Sequence, residues 1–280
     1  MKTILVPTDF SKNANTALRY AIRLAGVTNA NIYVLHCFQY SSYKHLVSES
    51  EEQRNLIIEQ TGKEQLAKLQ KHVHKAYKNL GLPVNPATKL QAVFNPFVVE
   101  ESIHVAKKIK AGLIVMGTHG ATGVQKFLFG SNTANMVAKS PLPVLAIPQA
   151  YRFKPLKKML FCSDLAHVKS ELQKVVAFAK EWRAVVEILH IDYEGDEQLT
   201  KAAQKVIKQN SDINIKLVIE KAQPENSLLG EIRSYVTQNR PHCMAMFTKE
   251  HGFWHKLLVG SIVEDITSTL PIPLLSFRRV

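Results

Sequence analysis

The residues best suited to chemistry lie in Val115-Met116-Gly117-Thr118-His119-Gly120-Ala121-Thr122-Gly123 and, a little further on, Gly130-Ser131-Asn132-Thr133. An apolar run over residues 111–116 stops at a glycine, a second glycine follows at 120, and Gly130-Ser131 opens an amphipathic stretch that closes before Pro141. That pattern predicts a strand, a loop and a helix N-terminus. Loop glycines let main-chain N–H groups approach an anion, Ser131 and Thr133 add hydroxyls, and the helix end adds positive partial charge. A polyphosphate needs all three. The spacing Gly-x2-Gly-x9-Gly-Ser is not a Walker A loop, because no Gly-Lys-Ser/Thr follows, nor is it the dinucleotide fingerprint. Glycines alone would equally serve an ordinary turn. The hydroxyl pair and the spacing favour the phosphate loop.

Other reactive side chains carry less. Asp9 and Ser11 are both good helix N-cap types. His119 lies between two loop glycines, with nothing beside it in sequence to act as its nucleophile, and Lys126 reads as a surface lysine of the loop arm. His36 and His190 end apolar strands and read as structural hydrogen-bonding residues. His72 and His74, two apart, face different sides of a helix. His251 and His255 have helical spacing, but Gly252 argues for a loop and no third ligand accompanies them. No metal site is expected.

The elements that must position the loop alternate. Residues 2–7 form a short buried strand ended by Pro7, residues 14–25 carry helical apolar spacing, and Asn31–Phe38 is a second strand. Residues 42–80 read as mostly helical with a looser start, residues 88–94 as a third strand and residues 97–110 as a helix. The strand before Gly117, the helix from Ser131 and a strand at Val144–Ile147 complete the unit. Such alternation predicts an α/β fold with a parallel sheet covered on both faces and right-handed crossovers. Ligands in such sheets sit beyond the carboxyl ends of the strands, at the switch point of strand order.

Composition bounds the rest. The chain has 280 residues, 46% of them hydrophobic and 21% charged, enough for one large or two ordinary domains. No apolar run reaches the roughly 18–20 residues that cross a bilayer, and no signal-peptide pattern precedes the first strand. Cys37, Cys162 and Cys243 are widely spaced in apolar runs and read as buried thiols. A cytoplasmic protein with no membrane partner is the expectation. The net charge of +13 is uneven: 17 basic against 8 acidic residues over 1–150, and 19 against 15 over 151–280. Lys68, Lys71, Lys75 and Lys78 are dispersed along a helix without interleaved aromatics, so a nucleic-acid partner is not expected.

The pattern then restarts. After a linker at 151–156, Lys157-Lys158-Met159-Leu160-Phe161-Cys162-Ser163-Asp164 echoes Lys2-Thr3-Ile4-Leu5-Val6-Pro7-Thr8-Asp9, and Ile188-Leu189-His190 echoes Val34-Leu35-His36. Gly260-Ser261 and Pro271-Ile272-Pro273 fall 130 positions after Gly130-Ser131 and Pro141-Leu142-Pro143. Phe247 and Glu250 stand where the first copy has Gly117 and Gly120. A side chain and a negative charge there oppose phosphate, so the second copy is expected not to hold a nucleotide.

Val6-Pro7-Thr8-Asp9, the glycine pattern and Pro141-Leu142-Pro143-Val144 together resemble the universal stress protein family, and its nucleotide-binding branch in particular. The resemblance covers residues 1–148, with a degraded second copy over most of the remainder. It implies two tandem Rossmann-like (adenine nucleotide alpha hydrolase-like) domains, 1–150 and 151–280, each with a five-stranded parallel sheet of order 3-2-1-4-5. It implies ATP, ADP or AMP, with Mg²⁺ as an optional companion. Carried over residue by residue, it implies nucleotide contacts from Pro7, Thr8, Asp9, Cys37, Met116, Gly117, His119, Gly120, Gly130, Ser131, Asn132 and Thr133. Asp9 would meet the ribose hydroxyls, and main-chain groups at Thr8 and Cys37 the adenine. It further implies a stress-response regulator, pairing of the two copies within the chain through their last strands, and room for protein partners or a homodimer. No second carboxylate converges on Asp9, so catalysis is expected to be absent or limited to slow ATP hydrolysis. An interaction scaffold without nucleotide is the alternative.

Overall fold

A computed structural model describes residues 2–39, 50–118, 131–193, 195, 197–210, 212–223, 225–248 and 272–279. The first half runs β1 (Thr3–Pro7), α1 (Lys12–Thr28), β2 (Asn31–Phe38), α2 (Glu51–Asn79), β3 (Lys89–Phe94), α3 (Val98–Lys108), β4 (Leu113–Gly117), α4 (Ser131–Lys139) and β5 (Val144–Ile147). The second runs β6 (Lys158–Cys162), α5 (Val168–Trp182), β7 (Val185–Asp192), α6 (Glu197–Lys208), β8 (Ile215–Lys221), α7 (Leu228–Asn239), β9 (Cys243–Thr248) and β10 (Leu274–Arg278).

The local reasons are conventional. The apolar runs of β4, β5 and β9 are buried along their whole length, as strands covered on both faces must be. Ser50 opens α2 with a capping box to Gln53, with Glu51 and Glu52 in the first turn and Lys78 in the last. Asn29 closes α1 in the left-handed conformation that asparagine tolerates.

All ten strands join one sheet in the order β3-β2-β1-β4-β5-β10-β9-β6-β7-β8. Each half therefore has the order 3-2-1-4-5 and is parallel within itself. The two five-stranded sheets join through their last strands, the pairing that the resemblance implies: β10 runs antiparallel to β5, with Leu275 opposite Leu145. One face of the sheet packs α1, α2, α5 and α6, and the other packs α3, α4 and α7. Residues 151–156 are no loose tether. Leu156 is buried, Tyr151 and Phe153 pack against Tyr20, and the Tyr151 hydroxyl donates to the His242 carbonyl at 3.1 Å. Aromatic side chains in the connector make it part of the core.

Candidate functional site

In the first half strand order reverses between β1 and β4, where the carboxyl ends of both strands and the first turns of α1 and α4 gather. Pro7 is the last residue of β1, buried and opposite Leu35. Thr8 is committed to the protein at every polar group. Its N–H donates to the Leu35 carbonyl (2.8 Å), its carbonyl accepts from His36 Nδ1 (2.8 Å), and its hydroxyl accepts from the Phe10 N–H (3.2 Å). Because a carbonyl only accepts, Nδ1 of His36 carries the proton. Burial holds that imidazole below its ordinary value, which fits the structural role read from its strand-end position.

Asp9 is exposed at the mouth of the site, and its Oδ1 accepts the Ser11 N–H at 3.0 Å. Ser11 rather than Asp9 caps α1, its hydroxyl accepting from Ala14 N–H at 3.1 Å. The two cap-type residues thus act in succession, one shaping the turn and one starting the helix. Phe10, between them, has φ of 65°, a conformation that costs a non-glycine residue about 1 kcal/mol. Its ring offsets this by packing between His36 (centroids 4.3 Å apart) and His72 (5.0 Å), with Lys68 Nζ 4.4 Å from the ring centre.

The end of β4 is drawn tight. Met116 and Gly117 are buried, and Gly117 pairs with Ile147. A Cβ on Gly117 would lie 2.7 Å from the main chain of Asn13, so glycine is required there for α1 to approach β4. Thr133, buried in the first turn of α4, donates its hydroxyl to the Gly117 carbonyl at 2.7 Å. That bond fixes the start of α4 over the end of β4. Ser131 and Asn132, two and one residues before it, stay exposed at the helix N-terminus.

Cys37 stands apart, half-buried near the end of β2 and opposite Val93. Burial, with Glu101 second, pushes its thiol up to about 12, which makes it an apolar wall rather than a nucleophile. Pro7, Thr8, Asp9, Cys37, Met116, Gly117, Ser131, Asn132 and Thr133 therefore all lie at one end of the sheet. His119, Gly120 and Gly130 fall outside the described residues. Asn13 carries no signal in the sequence: it is buried, and its Oδ1 finds no partner among the described residues. No cluster of three metal-ligating side chains occurs among those residues.

The second half repeats the turn atom by atom. Ser163 N–H donates to Leu189 O (3.0 Å), His190 Nδ1 meets Ser163 O (3.1 Å), Ala166 N–H meets Asp164 Oδ1 (3.1 Å), and Leu165 has φ of 62°. Its surroundings differ. Phe247, at the Gly117 position, stacks on Phe277 (4.9 Å) and against Phe161 (5.8 Å). Asp164 is gripped by Arg279, whose guanidinium donates to both of its oxygens at 3.1–3.2 Å and to Glu171 at 2.6 Å. Gln149 and Thr16 occupy the matching places in the first half and share only a neutral hydrogen bond of 3.2 Å. Superposing the two copies of the sequence would have exposed this exchange. The same end of the second half opens into a cavity of about 610 Å³, with Cys162, Leu189 and Ile191 inside and Asp164, Asp192 and Ser227 among its polar groups.

Known proteins share this plan. The universal stress protein family profile matches residues 1–148. A universal stress protein of Methanocaldococcus jannaschii is 31% identical over 147 residues, which span 52% of this chain and 81% of the relative. A second from the same organism is 28% identical over 158 residues, spanning 52% of this chain and 94% of its own. The crystal structure of a universal stress protein from Archaeoglobus fulgidus DSM 4304 covers 99% of this chain and 98% of its own, with a TM-score of 0.71 at 19% identity. That likeness extends the fold beyond residue 148, where the family profile match ends. With its strand order, its β1–α1 turn and the profile match over more than half its length, the chain belongs to the universal stress protein family.

Proposed function

We propose that the first half binds one adenine nucleotide, ATP or a close relative, and that its occupancy regulates partners or assembly during stress. The observation that carries the reading is the Thr133–Gly117 hydrogen bond, which sets the exposed first turn of α4 over the end of β4, the neighbour of β1 at the switch point. Phosphates fit there: the N–H groups of that first turn, with Ser131 and Asn132, point where anions are stabilised. The exposed carboxylate of Asp9 fits a hydroxylated sugar. Cys37 supplies an apolar wall for a base. Gly117 is explained by packing, so close approach of main chain to phosphate rests on Gly120 and Gly130, read from sequence alone.

The role is binding rather than dedicated catalysis. Phosphoryl transfer needs converging charges to place a metal and orient an attacking group, and Asp9 is the single carboxylate among the described site residues. Any Mg²⁺ would arrive on the nucleotide's own phosphates. The second half is read as taking no ATP: Phe247 fills the glycine position, Arg279 occupies Asp164, and carboxylates line the cavity. The regulatory role rests on family membership.

Denaturing the purified protein and chromatographing the supernatant, followed by ATP titration, tests this. About one adenine nucleotide per chain is expected. Gly120→Val should weaken ATP about tenfold or more without unfolding the protein, because main-chain donors are held away from phosphate. Two nucleotides per chain would overturn the asymmetry. Wild-type affinity in the variant would remove the assigned site, and no binding at all would favour a scaffold.

A further inference from the structure

A second polar site lies outside the nucleotide region, between α1 and α2. The helices flank a cleft of about 380 Å³ into which Lys12, Arg19, His72 and Lys75 converge, with Asn15 and Asn79 between them. No carboxylate lines it, and its single apolar residue is Ala76. The spacing 12, 15, 19 on α1 and 72, 75, 79 on α2 puts one stripe of each helix face to face.

Three observations bear on this cleft. Some exposed lysines find carboxylates, as Lys63 does with Glu59 (2.7 Å), Lys139 with Glu100 (2.8 Å) and Lys201 with Glu197 (2.9 Å). Among the described residues none of Lys12, Arg19 and Lys75 has such a partner, and Arg19 makes only a 3.4 Å hydrogen bond to the Thr16 hydroxyl. His72 Nε2 is buried and finds no hydrogen-bond partner among the described residues. Burial, then Lys68 and Lys75, hold the His72 imidazole below its ordinary value, while the Asp9 carboxylate opposes them. Finally, Lys12 opens α1 with no acidic residue in the first turn, which adds the positive end of a 17-residue helix to the same charge.

We propose that this cleft binds a small, multiply charged phosphate-bearing anion at a site separate from the nucleotide site. Ammonium, guanidinium and amide groups line the cleft, and each can donate to a phosphoryl oxygen. The inference does not rest on nucleotide binding, because the cleft is lined by α1, α2 and Gln149 beyond β5 rather than by the end of β4.

Isothermal titration of the full chain with inorganic tripolyphosphate tests it. Saturable binding is expected, weakening on transfer from about 0.05 M to about 0.5 M salt as screening grows. Arg19→Gln with Lys75→Gln should weaken it about a hundredfold, about tenfold for each charge removed from the cleft, and leave ATP affinity unchanged. Lys205→Gln with Lys208→Gln removes the same charge from α6 and should leave tripolyphosphate affinity unchanged. Unchanged affinity in the first pair, an equal drop in both pairs, or no saturable binding would each overturn the proposal. So would a random-sequence DNA duplex that binds more tightly than tripolyphosphate and fails to bind the first pair, since the face would then serve nucleic acid.

Discussion

Gly117 and Phe247 occupy matching positions at the ends of β4 and β9 and answer opposite packing demands. At Gly117 the main chain of Asn13 leaves no room for a Cβ, whereas Phe247 fills its position with a ring stacked on Phe277. Gly117→Ala should therefore cost about 1–3 kcal/mol as α1 is pushed from the sheet, measured by denaturant unfolding. A neutral result would return Gly117 to the role its sequence context suggests, that of admitting phosphate. The sequence points to Gly117 correctly and to its reason only in part, because a glycine does not announce which neighbour needs the space. Asn13 gives no signal at all. A polar residue near a helix start is ordinarily exposed, and only the approach of β4 buries it. Asp9, Ser131 and Thr133 are legible because their types recur at turns and caps for reasons of local geometry.

Between elements, the notable exchange is the ion pair that ties the end of β10 to α5 and to the β6–α5 turn. The Arg279 side chain is 16% exposed and that of Glu171 only 3%, so the pair is close to buried. Arg279→Gln should cost about 3 kcal/mol at neutral pH by leaving the Glu171 carboxylate unpaired. The sign of its pH dependence follows from Glu171. Burial raises its pKa above the ordinary 4.5, and Arg279 opposes the rise, so the variant's carboxyl should climb further. A carboxyl raised in the folded state holds its proton longer than in the unfolded chain, and stability falls as pH rises from 4.5 through the folded value. The deficit should thus be largest near pH 7 and shrink towards about pH 4.5, seen in thermal midpoints of both proteins. A deficit independent of pH would assign the cost to poorer packing instead. The strands and helices themselves are largely legible, since β4, β5 and β9 are unbroken apolar runs and α2 begins at a capping box. Long-range pairs such as Arg279 with Asp164 and Glu171 are not, because they join residues more than 100 positions apart.

At the scale of the molecule, the repeat suggests two units, and the structure joins them in one sheet through their last strands, as the resemblance implies. Strand order within each half can be expected from the family pattern, but an apolar run does not reveal which strand lies beside it. Residues 151–156 look like a tether because nothing in the sequence shows what their aromatics meet. In the fold, Leu145 and Leu275 face each other across the β5–β10 junction, both fully buried, while Tyr151 and Phe153 close the same core from the connector. A junction inside a continuous core couples the stability of its two sides. Unfolding should then be a single transition, and the boundary near residue 150 a division of sequence rather than of stability. Leu275→Ala, which opens a cavity on the second-half strand, should cost about 2–5 kcal/mol. The discriminating measurement is amide hydrogen exchange: protection should fall in β4 and β5 together with β9 and β6, because the slowest amides open only with the whole sheet. A fall confined to β9 and β6, with β4 untouched, would mean that the halves open independently and that the antiparallel junction is an interface between two self-sufficient folds.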